Sequence, residues 1–137
     1  MQVVCPQKKY KSDNSLIYSC QYHVIFCPKY RRKVLVNGID VRLKELILSK
    51  QQEYQYEVIE IEVMPDHVHL LLSVNPKTGI YPIITKIKGY TSHTLRQEYP
   101  TLVSKLPTLW TNSRFISTVG AVTIEVVKQY IEEQKNV

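Results

Sequence analysis

The stretch from Tyr56 to Val74, YEVIEIEVMPDHVHLLLSV, narrows the possible folds more than any other part of the chain. Over 56–63 apolar and acidic residues alternate in strict period two, the mark of a strand with one dry and one wet face. Glu57, Glu60 and Glu62 then lie near or on the wet side. Met64-Pro65-Asp66 makes a short turn, and 67–74 reads as the next strand. Two strands joined so tightly pair as an antiparallel hairpin. Successive side chains of a strand point to opposite faces, so His67 and His69 share one face and Val68 takes the other.

The rest of the chain fits around this hairpin. Residues 1–15 are polar, with Lys8, Lys9 and Lys11, and read as a flexible arm. Residues 16–27, LIYSCQYHVIFC, mix β-branched and aromatic side chains and read as a strand. After the Asn37-Gly38 turn signal, Ile39, Leu43, Leu46 and Ile47 recur at helical spacing, which predicts a helix over about 39–53. Gly79 and Pro82 open a second helix with Ile83, Ile87, Tyr90 and Leu95 on one side. Residues 99–110 hold Pro100 and Pro107 and read as an irregular loop. A fourth strand follows over 114–119. Gly120 ends it, and a last helix runs over about 122–135. The order β-α-β-β-α-β-α is α+β, and its first six elements are the ferredoxin-like pattern, a four-stranded antiparallel sheet with helices on one face. The last helix is an addition. All 137 residues suit one domain.

Charge and cysteine usage exclude several classes. The 18 Lys and Arg outnumber 12 Asp and Glu, giving a net +6, and a basic surface favours polyanionic partners such as nucleic acid. Cys5, Cys20 and Cys27 are odd in number and form no CxxC pair, which argues against a disulfide framework or a four-thiolate zinc site and fits reduced thiols. No apolar leader and no run of roughly 20 apolar residues is present, so the expected location is the cytoplasm.

Two spacings carry possible chemistry. Two imidazoles two residues apart on a strand, His67 and His69, can share a metal ion, although an isolated pair of this kind is more often two ordinary hydrogen-bonded histidines. On the last helix Tyr130 and Gln134 are i and i+4 and so lie on one face. They suit a phenol nucleophile beside an amide oxygen ligand, but also a core anchor beside a solvated glutamine. Asp66 can orient a neighbouring histidine or simply form the turn. His23 and His93 have no partner visible from spacing and read as structural.

Four segments in order, YSCQYHVIFCPKYRRKVLV (18–36), EVMPDHVHLLLSV (62–74), LWTNSRFISTVG (109–120) and VVKQYIEEQ (126–134), resemble the single-tyrosine transposases of small bacterial insertion sequences, the TnpA type of the HUH (His-hydrophobe-His) nuclease superfamily. The resemblance spans most of the chain. It implies that His67 and His69 are metal ligands, that Gln134 fills the third ligand position, and that Tyr130 is the nucleophile. The implied reaction is attack of Tyr130 on a phosphodiester of single-stranded DNA, giving a 5′-phosphotyrosine and a free 3′-OH. A second 3′-OH later attacks that linkage and reseals the strand. The covalent bond conserves the phosphodiester energy, so no ATP is required. The implied cofactor is a divalent metal, Mg²⁺ or Mn²⁺. The implied partners are DNA hairpins at element ends and a second copy of the chain, whose last helix can complete the site.

Lys29, Tyr30, Arg31, Arg32 and Lys33 combine cations with a stacking ring and read as a DNA-binding segment; Lys86, Lys88 and Arg96 are further candidates. Competing readings are another HUH nuclease of relaxase or replication-initiator type, a non-catalytic single-strand-binding domain, and a zinc hydrolase that activates water and has no use for Tyr130.

Overall fold

A computed structural model describes residues 11–13, 16–119 and 124–136. In chain order the elements are β1 (Lys11–Asp13), β2 (Leu16–Tyr18), β3 (Gln21–Phe26), α1 (Ile39–Ser49), α2 (Gln51–Tyr54), β4 (Tyr56–Met64), β5 (His67–Val74), α3 (Ile80–Glu98), α4 (Thr101–Lys105), β6 (Phe115–Thr118) and α5 (Ile124–Glu133). Short 3₁₀ turns cover Lys29–Arg31 and Gln134–Asn136. The main sheet runs β4-β5-β3-β6, antiparallel throughout, which is the ferredoxin-like order. Among the described residues no helix is long and apolar enough to cross a membrane.

Burial explains this arrangement. Every residue of β5 is buried, so both faces of that strand are covered. Val68, Leu70, Leu72 and Val74 meet Val24 and Phe26 of β3 and the apolar stripes of α1 (Leu43, Leu46, Ile47) and α3 (Ile83, Ile84, Ile87, Leu95) in one core. Fully burying side chains of this size contributes about 1.5–3 kcal/mol each. The intervening residues point the other way. Phe115, Ile25, His69 and Glu62 are direct cross-strand neighbours and form one row across that second face.

Several elements differ from the sequence reading. The strand expected over 16–27 breaks at Ser19-Cys20: β2 pairs with β1 in a separate ribbon, while the Cys20 carbonyl accepts the Val74 amide. Part of the expected arm, Lys11–Asp13, is therefore a paired strand, tied further by the Lys11–Glu57 ion pair; positions 1–10, 14 and 15 lie outside the described residues, as do Gly120 and the first two positions of the last helix. The helix expected over 39–53 stops at Ser49, whose hydroxyl bonds back to the Leu46 carbonyl at 2.7 Å, and resumes as α2. The loop expected over 99–110 contains α4, because Leu102 is buried in the core.

The strict alternation expected of β4 also fails. A bulge shifts the register between Val58, opposite Leu72, and Glu60, opposite Leu71. Val58, Ile61 and Val63 pack against the core, and Ile59 is the extra residue. The bulge is what brings both halves of β4, separated by one residue too many, onto the same dry face. Ile61→Ala should therefore lower stability by about 2 kcal/mol, and Ile59→Ala by less than about 1 kcal/mol. Urea denaturation measures both, and equal losses would contradict the bulge.

Candidate active site

The two histidines sit on the second face because the even residues of β5 are committed to the core. His67 and His69 are both buried. His67 Nδ1 lies 2.9 Å from Asp66 Oδ1. A carboxylate there accepts a hydrogen bond from Nδ1–H and leaves Nε2 with a free lone pair. That Nε2 atom is buried with no hydrogen-bond partner among the described residues. His69 Nε2 lies 3.2 Å from His23 Nδ1, and the two rings stack at 5.4 Å between centroids. Burial, with His23 and His67 nearby, pushes His69 down to about 4, and burial also lowers His23. His69 and His23 are thus held as neutral imidazoles near pH 7. His23, unpartnered by spacing, is thus a direct neighbour of His69. His93 is exposed.

Helix α5 supplies the other candidates. Val127 is fully buried and Tyr130 is half-buried, with its ring 5.2 Å from that of Phe115 on the second face. Phe115 and His69 are two strands apart in the same row, roughly 10 Å between backbones. Tyr130 Oη is 2.9 Å from Ser113 Oγ. Burial pushes the phenol up to about 12, and the Ser113 hydrogen bond opposes that rise. One turn on, Gln134 is buried with its Oε1 lacking a partner among the described residues. A buried unsatisfied polar atom is costly and rare. Such atoms among the described residues include Glu60 Oε2, His67 Nε2, Thr111 Oγ1 and Gln134 Oε1, and the imidazole nitrogen, the amide oxygen and the carboxylate oxygen are kinds of atom that bind divalent cations.

The donor set fits such an ion. Among the described residues no group of three or more His, Cys, Asp or Glu is placed to hold a metal ion, so the third donor of such a site would be an amide oxygen. Ligands of this kind, two imidazole nitrogens and an amide oxygen, carry no negative charge and would leave the ion's charge available for a phosphate. His69 Nε2 is engaged with His23, so this atom must leave that contact to face a cation. Cys27 is not a competing ligand: it is fully buried, and burial raises its thiol to about 12.

Ser113, absent from the sequence reading although it lies in a quoted segment, is held by a buried cation. Lys88 Nζ donates to the Thr111 carbonyl at 2.6 Å and the Ser113 carbonyl at 3.3 Å. Trp110 anchors the same loop, with Nε1 on Thr91 Oγ1 at 3.0 Å and its ring edge-on to Phe26. Lys88 is therefore a structural amine with little surface to offer DNA. Arg96 likewise donates to the Leu106 carbonyl, while Lys86 is exposed. In the basic segment, Tyr30, Arg32 and Lys33 are exposed and Lys29 Nζ lies 5.2 Å from the Tyr30 ring. Arg31 turns inward, to Asp66 and α5.

Residues 16–134 match the family model described as IS200-like transposase. The chain belongs to this family. It is 39% identical over 126 residues to the ISDra2 transposase TnpA of Deinococcus radiodurans, covering 90% of each chain. It is 32% identical to the transposase for insertion sequence element IS200 of Salmonella typhimurium, covering 86% of this chain and 81% of that one. A crystal structure from Deinococcus radiodurans, described as a transposase, superposes with a TM-score of 0.82 at 33% identity, covering 93% of this chain and 99% of that one. A REP-associated tyrosine transposase bound to a REP hairpin shares the fold, with a TM-score of 0.54 at 12% identity over 83% of this chain and 62% of that one. The family's members are transposases, enzymes that cut and rejoin DNA.

Burial lowers the Lys88 amine to about 8 from 10.5. Between those values the unfolded chain binds the proton that the folded chain has shed, so Lys88 makes stability rise with pH. Above about pH 10 the raised Tyr56 and Tyr130 act in the opposite sense. Urea melts between pH 8 and 10 should show a gain of about 2 kcal/mol from this group, and Lys88→Met should flatten it. An unchanged slope in the variant would show that the amine keeps its charge in the fold.

Proposed function

We propose that this transposase cleaves and rejoins single-stranded DNA through a covalent bond between Tyr130 and a 5′-phosphate, with His67, His69 and Gln134 holding a divalent cation. The observation that carries the reading is that His67 Nε2 and Gln134 Oε1 are both buried and unpartnered, with Gln134 one turn beyond Tyr130 in the 3₁₀ turn that continues α5. Bound there, Mg²⁺ or Mn²⁺ would polarise the scissile phosphate and offset charge on its oxygens.

The chain's own groups do the rest. The phenol oxygen of Tyr130 forms the new P–O bond as the bond to the 3′ oxygen breaks, and that oxygen leaves as a 3′-OH. A phenolate can only accept hydrogen bonds, so on ionisation the Ser113 hydroxyl becomes the donor and stabilises it. Lys88 fixes Ser113 through the loop carbonyls. Asp66 fixes the His67 tautomer. A later 3′-OH attacks phosphorus and releases Tyr130, with one phosphodiester consumed and one made. Lys29, Tyr30, Arg32 and Lys33 offer phosphate contacts and a stacking ring for the strand.

The REP hairpin of the structural neighbour supports a hairpin at an element end as the substrate. A homodimer acting in the bacterial cytoplasm completes the proposal. In the single chain α5 lies against its own sheet through Tyr130, Ser113 and Phe115, which favours a site built within each protomer in this arrangement.

Incubation with single-stranded hairpin DNA from the element ends and Mn²⁺ should give a protein–DNA adduct on a denaturing gel. EDTA and Tyr130→Phe should each abolish it. Cleavage that persists in Tyr130→Phe would instead favour attack by water. Ser113→Ala should slow adduct formation about 5-fold in single turnover, the equivalent of one neutral hydrogen bond, and an unchanged rate would remove Ser113 from the mechanism.

A further inference from the structure

Arg31 stands in a run of surface cations, yet its side chain is only 14% exposed. Tyr30 and Arg31 both take left-handed backbone conformations, φ 59° and 49°, which is unusual for consecutive residues other than glycine. Such backbone persists where the surroundings impose it. Here it delivers the guanidinium to an interior position with three partners. Nε lies 3.2 Å from Asp66 Oδ2, and Nη1 lies 3.1 Å from both the Ile131 carbonyl and Glu132 Oε2.

Asp66 uses its other oxygen on His67 Nδ1 at 2.9 Å. Ile131 directly follows Tyr130, and its carbonyl belongs to the last turn of α5, where helix carbonyls lack intrahelical donors and a cation is favoured. One continuous path therefore runs from the His67 ring through Asp66 and Arg31 to the turn between Tyr130 and Gln134. A planar fork spans two partners in different directions, which a lysine ammonium cannot reproduce.

We infer, on the functional reading above, that Arg31 is a positioning residue that registers the helix carrying Tyr130 and Gln134 against the strand carrying His67, and is not a phosphate contact. Its guanidinium acts on the reaction only through those groups. The neighbouring Arg32 and Lys33 are exposed and free of this duty.

Hydrogen exchange on the metal-free protein tests this without any chemistry. In Arg31→Ala, amides of 124–136 should exchange at least about tenfold faster, while those of 67–74 stay protected. Arg31→Lys should loosen the same segment and covers the case in which the alanine variant does not fold. On hairpin DNA with Mn²⁺, both variants should keep the wild-type Kd and its salt dependence, and lose about 10–100-fold in single-turnover rate at saturating DNA. Arg32→Ala should do the reverse, weakening binding and lowering the salt slope by about one. The inference is overturned if α5 exchange is unchanged in Arg31→Ala and Arg31→Lys, or if these variants behave like Arg32→Ala. If wild type makes no adduct the functional reading fails, and the exchange data still decide whether Arg31 holds the helix.

Discussion

Everything at the candidate site depends on the register of β5. The strand is buried on both faces, and its side chains alternate without interruption. Val68, Leu70, Leu72 and Val74 are locked into the helix-side core, so His67, His69 and Leu71 have no choice of side. A slip of one residue would send both imidazoles into an apolar core and put four large aliphatic side chains on the face that carries the site. The chemistry thus inherits its geometry from hydrophobic packing on the opposite face. The bulge in β4 serves the same end, since it keeps Ile61 and Val63 in the core and sets Glu62 opposite His69.

Helix α5 turns that sheet face into an enclosed site. Val127 and the Tyr130–Phe115 contact seat it by apolar contact, and polar ties complete the seating. Two cations that look alike in the sequence as surface charges do this work from the interior. Lys88 holds the loop that carries Ser113, and Arg31 joins Asp66 to the last turn of α5. The lowered imidazole of His69 and the raised phenol of Tyr130 both follow from burial. A buried phenol is a poor nucleophile at neutral pH, so an added positive charge is what the reaction proposed here needs from its environment.

The fold was legible where one physical rule dominated. Alternation over 67–74, helical spacing in α1 and α3, and the order of elements gave the ferredoxin-like sheet. The reading failed where two rules compete. At Val58-Ile59 two adjacent apolar residues cannot both face the core, and only the paired strand decides which one is extruded. At Ser19-Cys20 and Lys50 the chain changes partners without a proline or glycine to signal it. In the candidate site, His67, His69, Tyr130 and Gln134 stood out through short-range spacing and through resemblance. Ser113, His23 and the inward Arg31 did not, because their partners are 17, 46 and about 100 residues away, and no local pattern encodes a contact of that range.

In the proposed site α5 carries Gln134 to the same cation as the β5 histidines. Anomalous diffraction at the manganese edge, from crystals of the protein grown with Mn²⁺, addresses it most directly. A single strong peak is expected at coordination distance from His67 Nε2, a His69 ring nitrogen and Gln134 Oε1, with His23 moved off His69 where Nε2 is the ligand. A peak bound by Glu60 or Glu62 without Gln134, or no peak beside His67 at saturating Mn²⁺, would contradict it.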